Sequence, residues 1–457
     1  MTWINDPTTW PFLVLLLSVI LVVFLITKAK FHPFIALILA AIFVGFLTPE
    51  LPTTVMGEHA WVTAVELPMV EFGIVAGKIA WVIALAAVIG AAMMESGAAA
   101  KIVNVLLQTM GEKRAAFALV IAGFILSIPV FLDTVFFLLI PLGITLAQKT
   151  GKNFVLYVVA IGGGGVITHS LVPPTPGPLI MAETMQLDLG LVIVFGLLAG
   201  IIPAIAVILT GKWQNRTFDI PLRVASNPQK PIQRPPSLLL SLLPIVLPLI
   251  MISLASVVAA FGENVPAWVA LQGNKNIAMT VGTLLALYIW ARAQGLTARE
   301  LWEGVSRPLE IGGLIILITS AGGAYGAMIG HSGIGDAIKN ATEGFQVHYI
   351  VLAWLIAAVF KTAQGSGTVA MISAASIMAA IVGTDVELPY HPIYLLLAMG
   401  FGSLFISWMN DSGFWVVSKM SGFSEKEGLQ TWTLVLAVIG LVGLAQVLIV
   451  AKLFPMI

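Results

Sequence analysis

The sequence predicts an all-α polytopic membrane protein built from two inverted-topology repeats, each with a re-entrant helical hairpin and an interrupted transmembrane helix. Three observations carry that expectation: apolar stretches of bilayer length, the sides on which basic residues fall between them, and four places where polar residues, glycine or proline break them. Of the 457 residues, 59% are hydrophobic and 10% are charged. The mean hydropathy of +1.02 is more than a soluble core needs. A span takes about 20 mostly apolar residues, and residues 11–27, 33–48, 72–94, 189–210, 237–260 and 432–454 meet that length or nearly do.

The formal net charge is zero and no basic tail is present, so neither a nucleic-acid partner nor a surface anchor is implied, and the lipid bilayer is the partner that composition does imply. With no cysteine, the chain has no disulfide framework, thiolate metal site or cysteine nucleophile, and no metal or cofactor is expected. Residues 1–6 contain no Lys or Arg and no small-residue cleavage site follows the first apolar segment, which reads as a retained helix rather than a signal peptide.

Cytoplasmic loops accumulate Lys and Arg, and one threading puts all but five of the basic residues on that side. Lys275, Lys339 and Lys452 fall outside, and Lys78 and Lys361 lie within apolar segments. Both termini are then periplasmic. The threading requires residues 115–147 to enter and leave on the cytoplasmic side, because Lys113 and Arg114 precede them and Lys149 and Lys152 follow. By the same logic residues 349–382 form a second, inverted hairpin from the outer side. The first repeat is thus 1–210, with a broken span near 153–182. A polar linker follows at 211–236, and the second repeat is 237–457, with a broken span near 392–421. Gly90-Ala91 and Ser96-Gly97 match Gly326-Ala327 and Ser332-Gly333 at one shift, and Thr134-Val135 matches Thr368-Val369 at nearly the same one. Inverted repeats with broken helices are a transporter architecture.

Irregular backbone and polar groups persist at membrane depth where they are buried in protein or line a cavity, so the four interruptions are the candidate site. They are Ser127 to Thr134 with Asp133, the run Gly162 to Pro178 with Thr168, His169 and Ser170, Lys361 to Thr368 with Gln364, Gly365 and Ser366, and Ser407 to Gly413 with Asn410, Asp411 and Ser412. The second run is too rich in Gly and Pro for a continuous helix, so the chain is expected to unwind there. Half-helix N-termini present free N–H groups and a positive dipole end to an anion, and neutral Ser, Thr, Asn and Gln side chains suit a hydroxylated one. The expected substrate is therefore a small hydroxylated organic anion. The candidate substrate contacts are Ser127, Thr134, Thr168, Ser170, Lys361, Gln364, Gly365, Ser366, Thr368, Asn410 and Ser412. Asp133, Asp411 and His169 are the candidates for proton coupling, since embedded titratable groups can load and release protons.

Each assignment has a plainer alternative. The aspartates can cap half-helices, His169 can be a hydrogen-bonded structural residue, and Lys361 can neutralise Asp133 or Asp411 in a fixed pair. Lys78, near the outer end of its span, reads as a snorkelling residue rather than a site residue. The prolines shape the loop, and Trp408 and Trp415 read as packing or interface residues.

The Ile-Pro-Val-Phe-Leu-Asp core at 128–133, the run Thr-His-Ser-Leu-Val-Pro-Pro-Thr-Pro-Gly-Pro at 168–178, Ala-Gln-Gly-Ser-Gly-Thr-Val-Ala at 363–370 and Ser-Trp-Met-Asn-Asp-Ser-Gly-Phe-Trp at 407–415 together resemble the gluconate:proton symporter (gluconate permease) family. The resemblance spans essentially the whole chain. It implies proton-coupled uptake of gluconate or a related sugar acid across a bacterial inner membrane, by a homodimer within a wider ion-transporter group. It also implies Arg in many members where this chain has Lys361, and another residue in some where it has Thr134. Ketogluconate-like acids, fructuronate and D-serine stay open as substrates, and sodium stays open as coupling ion. An enzyme is not expected: an intramembrane hydrolase would need Ser366 and His169 together, although they belong to opposite halves, and no His-Glu-x-x-His motif occurs.

Overall fold

The computed structural model describes residues 9–456 except 53–58, 219, 225–233, 262–264, 335–336, 338–347, 383–387 and 410. Among the described residues, eight helices are long and apolar enough to cross a membrane. Their order follows the expected architecture. Three helices, Trp10–Thr27, Pro33–Leu47 and Ala60–Glu95, open the first half, and Leu238–Phe261, Lys275–Gln294 and Ala298–His331 open the second. Each set leads through a hairpin and a broken span to a last span, Leu189–Thr217 in one half and Glu425–Leu453 in the other.

The two longest helices, Ala60–Glu95 and Ala298–His331, pack along each other and join the halves. Both end in the same way. Ser96 and Ser332 are the C-caps, with hydroxyls donating to the Met93 carbonyl at 3.4 Å and the Ile329 carbonyl at 2.7 Å. Gly97 and Gly333 follow at φ of 74° and 79°, a left-handed conformation that glycine adopts without penalty and that stops a helix. The two Ser-Gly pairs matched in sequence are therefore one structural device used twice.

The hairpins are Ala115–Leu126 with Leu132–Thr150, and Tyr349–Gln364 with Gly367–Val382. The first broken span lies at the centre of the molecule. Within Phe154–Thr184, 94% of the most apolar window is buried, against 28–56% for the other seven spans. Its glycine run corrects one expectation, because Phe154–Leu171 is a continuous helix through Gly162–Gly165 and only residues 172–175 leave it. The glycines serve contact instead of unwinding. A Cβ on Gly164 would stand 2.3 Å from the Val120 carbonyl oxygen, and one on Gly162 would stand 2.4 Å from the Trp432 ring. Close backbone approach of this kind is how membrane helices gain packing energy where lipid tails are as apolar as leucine.

The last helix of the first half runs to Thr217, so residues 211–217 of the stretch read as linker are helical. Gln214 explains the extension, since its buried amide donates to the carbonyls of Gln430 at 3.1 Å and Thr431 at 2.8 Å on the last span. Beyond it, Arg223 forms a two-pronged pair with Glu427 at 2.6 and 2.8 Å, tying the connector to the second half.

Candidate functional site

Both hairpins bend at the depth where both spans break, and each bend is set by its local sequence. In the first hairpin, Phe131 takes an extended conformation before Leu132–Thr150, which leaves Asp133 in the first turn of that helix. In the second, Gly365 has φ +87° and its N–H closes on the Lys361 carbonyl at 2.8 Å. Ser366 then opens Gly367–Val382 by accepting from the Val369 N–H at 3.3 Å. The second broken span stops at Ser403, whose hydroxyl donates to the Gly400 carbonyl at 2.7 Å. It restarts at Ser412–Ser421, capped by the Asp411 carboxylate accepting from the Gly413 N–H at 2.9 Å.

These four interruptions enclose one cavity of about 370 Å³. The first half contributes Asp133, Thr134, His169 and Ser170, and the second contributes Lys361, Ser366, Gly367, Thr368, Asp411, Ser412 and Gly413. Three half-helix N-termini, at Leu132, Gly367 and Ser412, therefore border a common space. Ile311, Ile315, Met371, Leu404 and Leu436 supply apolar wall.

The charges in this space are arranged unequally. Lys361 and Asp411 form a buried ion pair at 2.6 Å with side chains only 5% and 11% exposed. The same ammonium donates to the Gly365 carbonyl at 2.6 Å. Asp411 accepts a further hydrogen bond from Ser407, which in turn accepts from the Trp432 indole at 3.2 Å. Lys361 thus fastens the second hairpin's bend to the restart of the second broken span. Asp133 lines the cavity and forms no ion pair with any described residue. His169 meets the Phe131 ring edge-on at 6.2 Å, and its buried Nδ1 has no partner among the described residues.

Not every candidate reaches the cavity. Ser127 is fully buried behind the first bend, where it packs against Gly165. Thr168 turns its hydroxyl to the Phe124 carbonyl at 2.8 Å and so joins the first hairpin to the broken span. Gly365 contributes backbone only, to Lys361. Asn410 and the side chain of Gln364 lie outside the described residues. Two participants were not in the candidate set, Ser407 and Trp432. Ser407 sits in a stretch already marked as an interruption, whereas Trp432 opens an apolar span and carries no local sign of a polar role. It is placed by a π-helical segment, Leu429–Thr433, of the kind that recurs at functional sites.

Such a fold and such a cavity define a multi-span membrane transporter, and the comparisons place it more closely. The family model described as GntP family permease matches residues 10–454. The gluconate permease of Pseudomonas aeruginosa is 33% identical over 450 residues, covering 95% of this chain and 96% of that protein. The low-affinity gluconate transporter of Escherichia coli K12 is 30% identical over 432 residues, covering 93% and 95%. The Gnt-II system L-idonate transporter of the same organism is 28% identical over 378 residues, covering 81% and 85%. The chain belongs to the GntP permease family and is a permease, not an enzyme. Among solved structures, the YdaH transporter of Alcanivorax borkumensis superposes with a TM-score of 0.63 at 14% identity, covering 93% of this chain and 99% of that one. MtrF of Neisseria gonorrhoeae gives 0.66 at 16%, covering 94% and 96%. At those identities the two share the fold with this chain.

Proposed function

We propose that this permease carries a small hydroxylated carboxylate of the gluconate type into the cell together with protons, across a bacterial inner membrane, with Asp133 as the group that couples the two. The observation that carries the reading is the charge balance of the cavity: Lys361 and Asp411 cancel, which leaves Asp133 as its unpaired charge when His169 is neutral. An ionised Asp133 repels an incoming carboxylate. At about 5 Å and an effective dielectric near 20 that repulsion is about 3 kcal/mol, enough to exclude the anion. A proton on Asp133 removes the repulsion and leaves three helix N-termini to hold the carboxylate, so anion and proton load together and leave together.

Thr134, Ser170, Ser366, Thr368 and Ser412 are the proposed donors and acceptors for the substrate's hydroxyls, on the strength of the sequence reading and their place around the cavity. Lys361 and Asp411 act chiefly by holding the second hairpin to the second broken span. The gluconate and L-idonate in the relatives' names support the substrate class. Both termini are periplasmic in this reading, and the homodimer is retained from the family resemblance.

The test is uptake of radiolabelled gluconate into proteoliposomes under an imposed inward proton gradient, with and without sodium, competed by other sugar acids and by D-serine. Proton-driven uptake that other sugar acids compete away is expected. Sodium-dependent uptake at fixed pH would reassign the coupling ion, and competition by D-serine alone would reassign the substrate.

A further inference from the structure

The second arm of the second hairpin, Gly367–Val382, lies along the C-terminal half of Ala298–His331. Its first turns line the central cavity with Gly367, Thr368 and Met371, and the long helix lines it with Ile311 and Ile315. Beyond those residues the two helices close on each other. Ile372 fits over Gly322, Ser376 over Gly326 and Ala380 over Gly330, matched steps of four residues that keep one face of each helix against the other. Gly322 and Gly326 leave no room for a Cβ beside Ile372 and Ser376, and a Cβ on Gly330 would stand 3.9 Å from that of Ala380. The Ser376 hydroxyl also donates to the Gly322 carbonyl at 3.5 Å. Helices this close leave no passage between them, so along this seam the cavity ends at Ile372.

The same arm packs on the first broken span, where Met371 fits against Gly177. In the last turn of that span Glu183 pairs with Lys275, the first residue of Lys275–Gln294. Both side chains are mostly buried, at 23% and 19% exposed. Among the described residues, this is the one ion pair that joins a hairpin or a broken span to the helices that open either half. In the threading that places the basic residues, Ala380, Glu183 and Lys275 all lie toward the outer ends of their helices. Seam and pair therefore stand between the central cavity and the outside.

A carrier exposes its site to the two faces in turn by moving one bundle against another, so something must part before the cavity opens outward. We propose that the contact of Ile372, Ser376 and Ala380 with Gly322, Gly326 and Gly330 is the outer gate of this permease, and that Glu183 and Lys275 are positioning residues that hold it shut through the first broken span. The proposal rests on the sidedness proposed above and not on the identity of the substrate. A partly exposed pair suits a latch, because its two ends can separate into water at modest cost. The glycine contacts supply the seal, since their packing depends on a fit that is lost once the helices part.

The chain has no cysteine, so introduced thiols report without background. Gly330→Cys with Ala380→Cys sets two Cβ atoms within the roughly 3.5–4.5 Å that a disulfide spans, and neither position lines the central cavity. Oxidation of this protein in proteoliposomes is expected to stop proton-driven gluconate uptake and a thiol reductant to restore it, while the oxidised protein in nanodiscs still binds gluconate from the other face. A second chain carries Ile315→Cys in the cavity wall and is labelled in intact cells with a membrane-impermeant maleimide. Adding Lys275→Gln should raise its labelling rate about fivefold, the shift expected from one lost, partly exposed pair. Adding Glu183→Lys with Lys275→Glu, which rebuilds the pair reversed, should return the rate to that of the parent. No disulfide on oxidation, or oxidised protein that transports as well as reduced, overturns the gate. Labelling unchanged by Lys275→Gln, or as fast in the reversed pair as in the single variant, overturns the latch. A response seen in inside-out vesicles and not in cells overturns the outer placement. If the reduced protein takes up no gluconate but labelling still responds to Lys275→Gln, the substrate class is overturned and the gate stands.

Discussion

The buried pair of Lys361 and Asp411 makes the sharpest test of how this site is held together. Replacing Lys361 with Met removes the ammonium but keeps an unbranched side chain of similar length, leaving the Asp411 carboxylate 11% exposed with no cation beside it. Breaking a buried pair from one side costs about 3–5 kcal/mol. Asp411 keeps two partners, the Gly413 N–H at 2.9 Å and the Ser407 hydroxyl, which places the expected loss near the lower end, about 3 kcal/mol. Adding Asp411→Asn removes the stranded charge and preserves the cap, because Asn caps helices about as well as Asp. The double variant should therefore return to within about 1 kcal/mol of wild type, since replacing both partners of a buried pair is often near neutral. Unfolding in mixed micelles, followed by the fluorescence of the 12 tryptophans, reads both numbers. A Lys361→Met protein as stable as wild type, or a double variant no better than the single, would refute the argument that this pair fastens the hairpin to the broken span.

Other outcomes follow from the same geometry. Asp133→Asn should abolish accumulation of substrate against its gradient while leaving gluconate exchange across loaded liposomes, because the cavity is then permanently neutral; wild-type accumulation would remove Asp133 from the coupling step. Trp432→Phe takes away the donor to Ser407 at 3.2 Å, a loss of about 1 kcal/mol, and should raise KM roughly fivefold without changing the amount of folded protein. Gly365→Ala forces an alanine to φ +87° and should lower stability by about 1–2 kcal/mol, with Gly365→Asn losing less; equal stability of all three proteins would count against a left-handed bend. Gly164→Ala puts a methyl 2.3 Å from the Val120 carbonyl oxygen, where backbone must move, and should sharply reduce folded protein in the membrane, as size-exclusion chromatography of the detergent extract would show.

The hairpins and breaks were legible in the sequence because a bilayer permits so few exceptions. A helix in hydrocarbon satisfies its own backbone, so Ser127 to Thr134 or Ser407 to Gly413 inside apolar stretches had to mark places where protein or water replaces lipid. The Ser-Gly ends of the two long helices were legible for a similar reason, since a left-handed stop selects glycine. The glycine run was read less well. Composition alone could not separate glycine that frees a backbone from glycine that lets another helix touch it, and Gly162–Gly165 proved to do the second.

What the sequence determined by itself is the list of groups set at membrane depth and the symmetry that brings four interruptions to one level. Both follow from local rules, of hydropathy, helix breaking and loop charge. Which side chains turn inward was decided by tertiary packing: Asp133 lines the cavity whereas Ser127 and Thr168 close onto neighbouring helices. Pairing was decided there too. Lys361 meets Asp411 fifty positions away, and Trp432 meets Ser407 from a separate span. A residue's chemistry is local, but the direction it faces and the charge it meets depend on how helices distant in sequence come to pack.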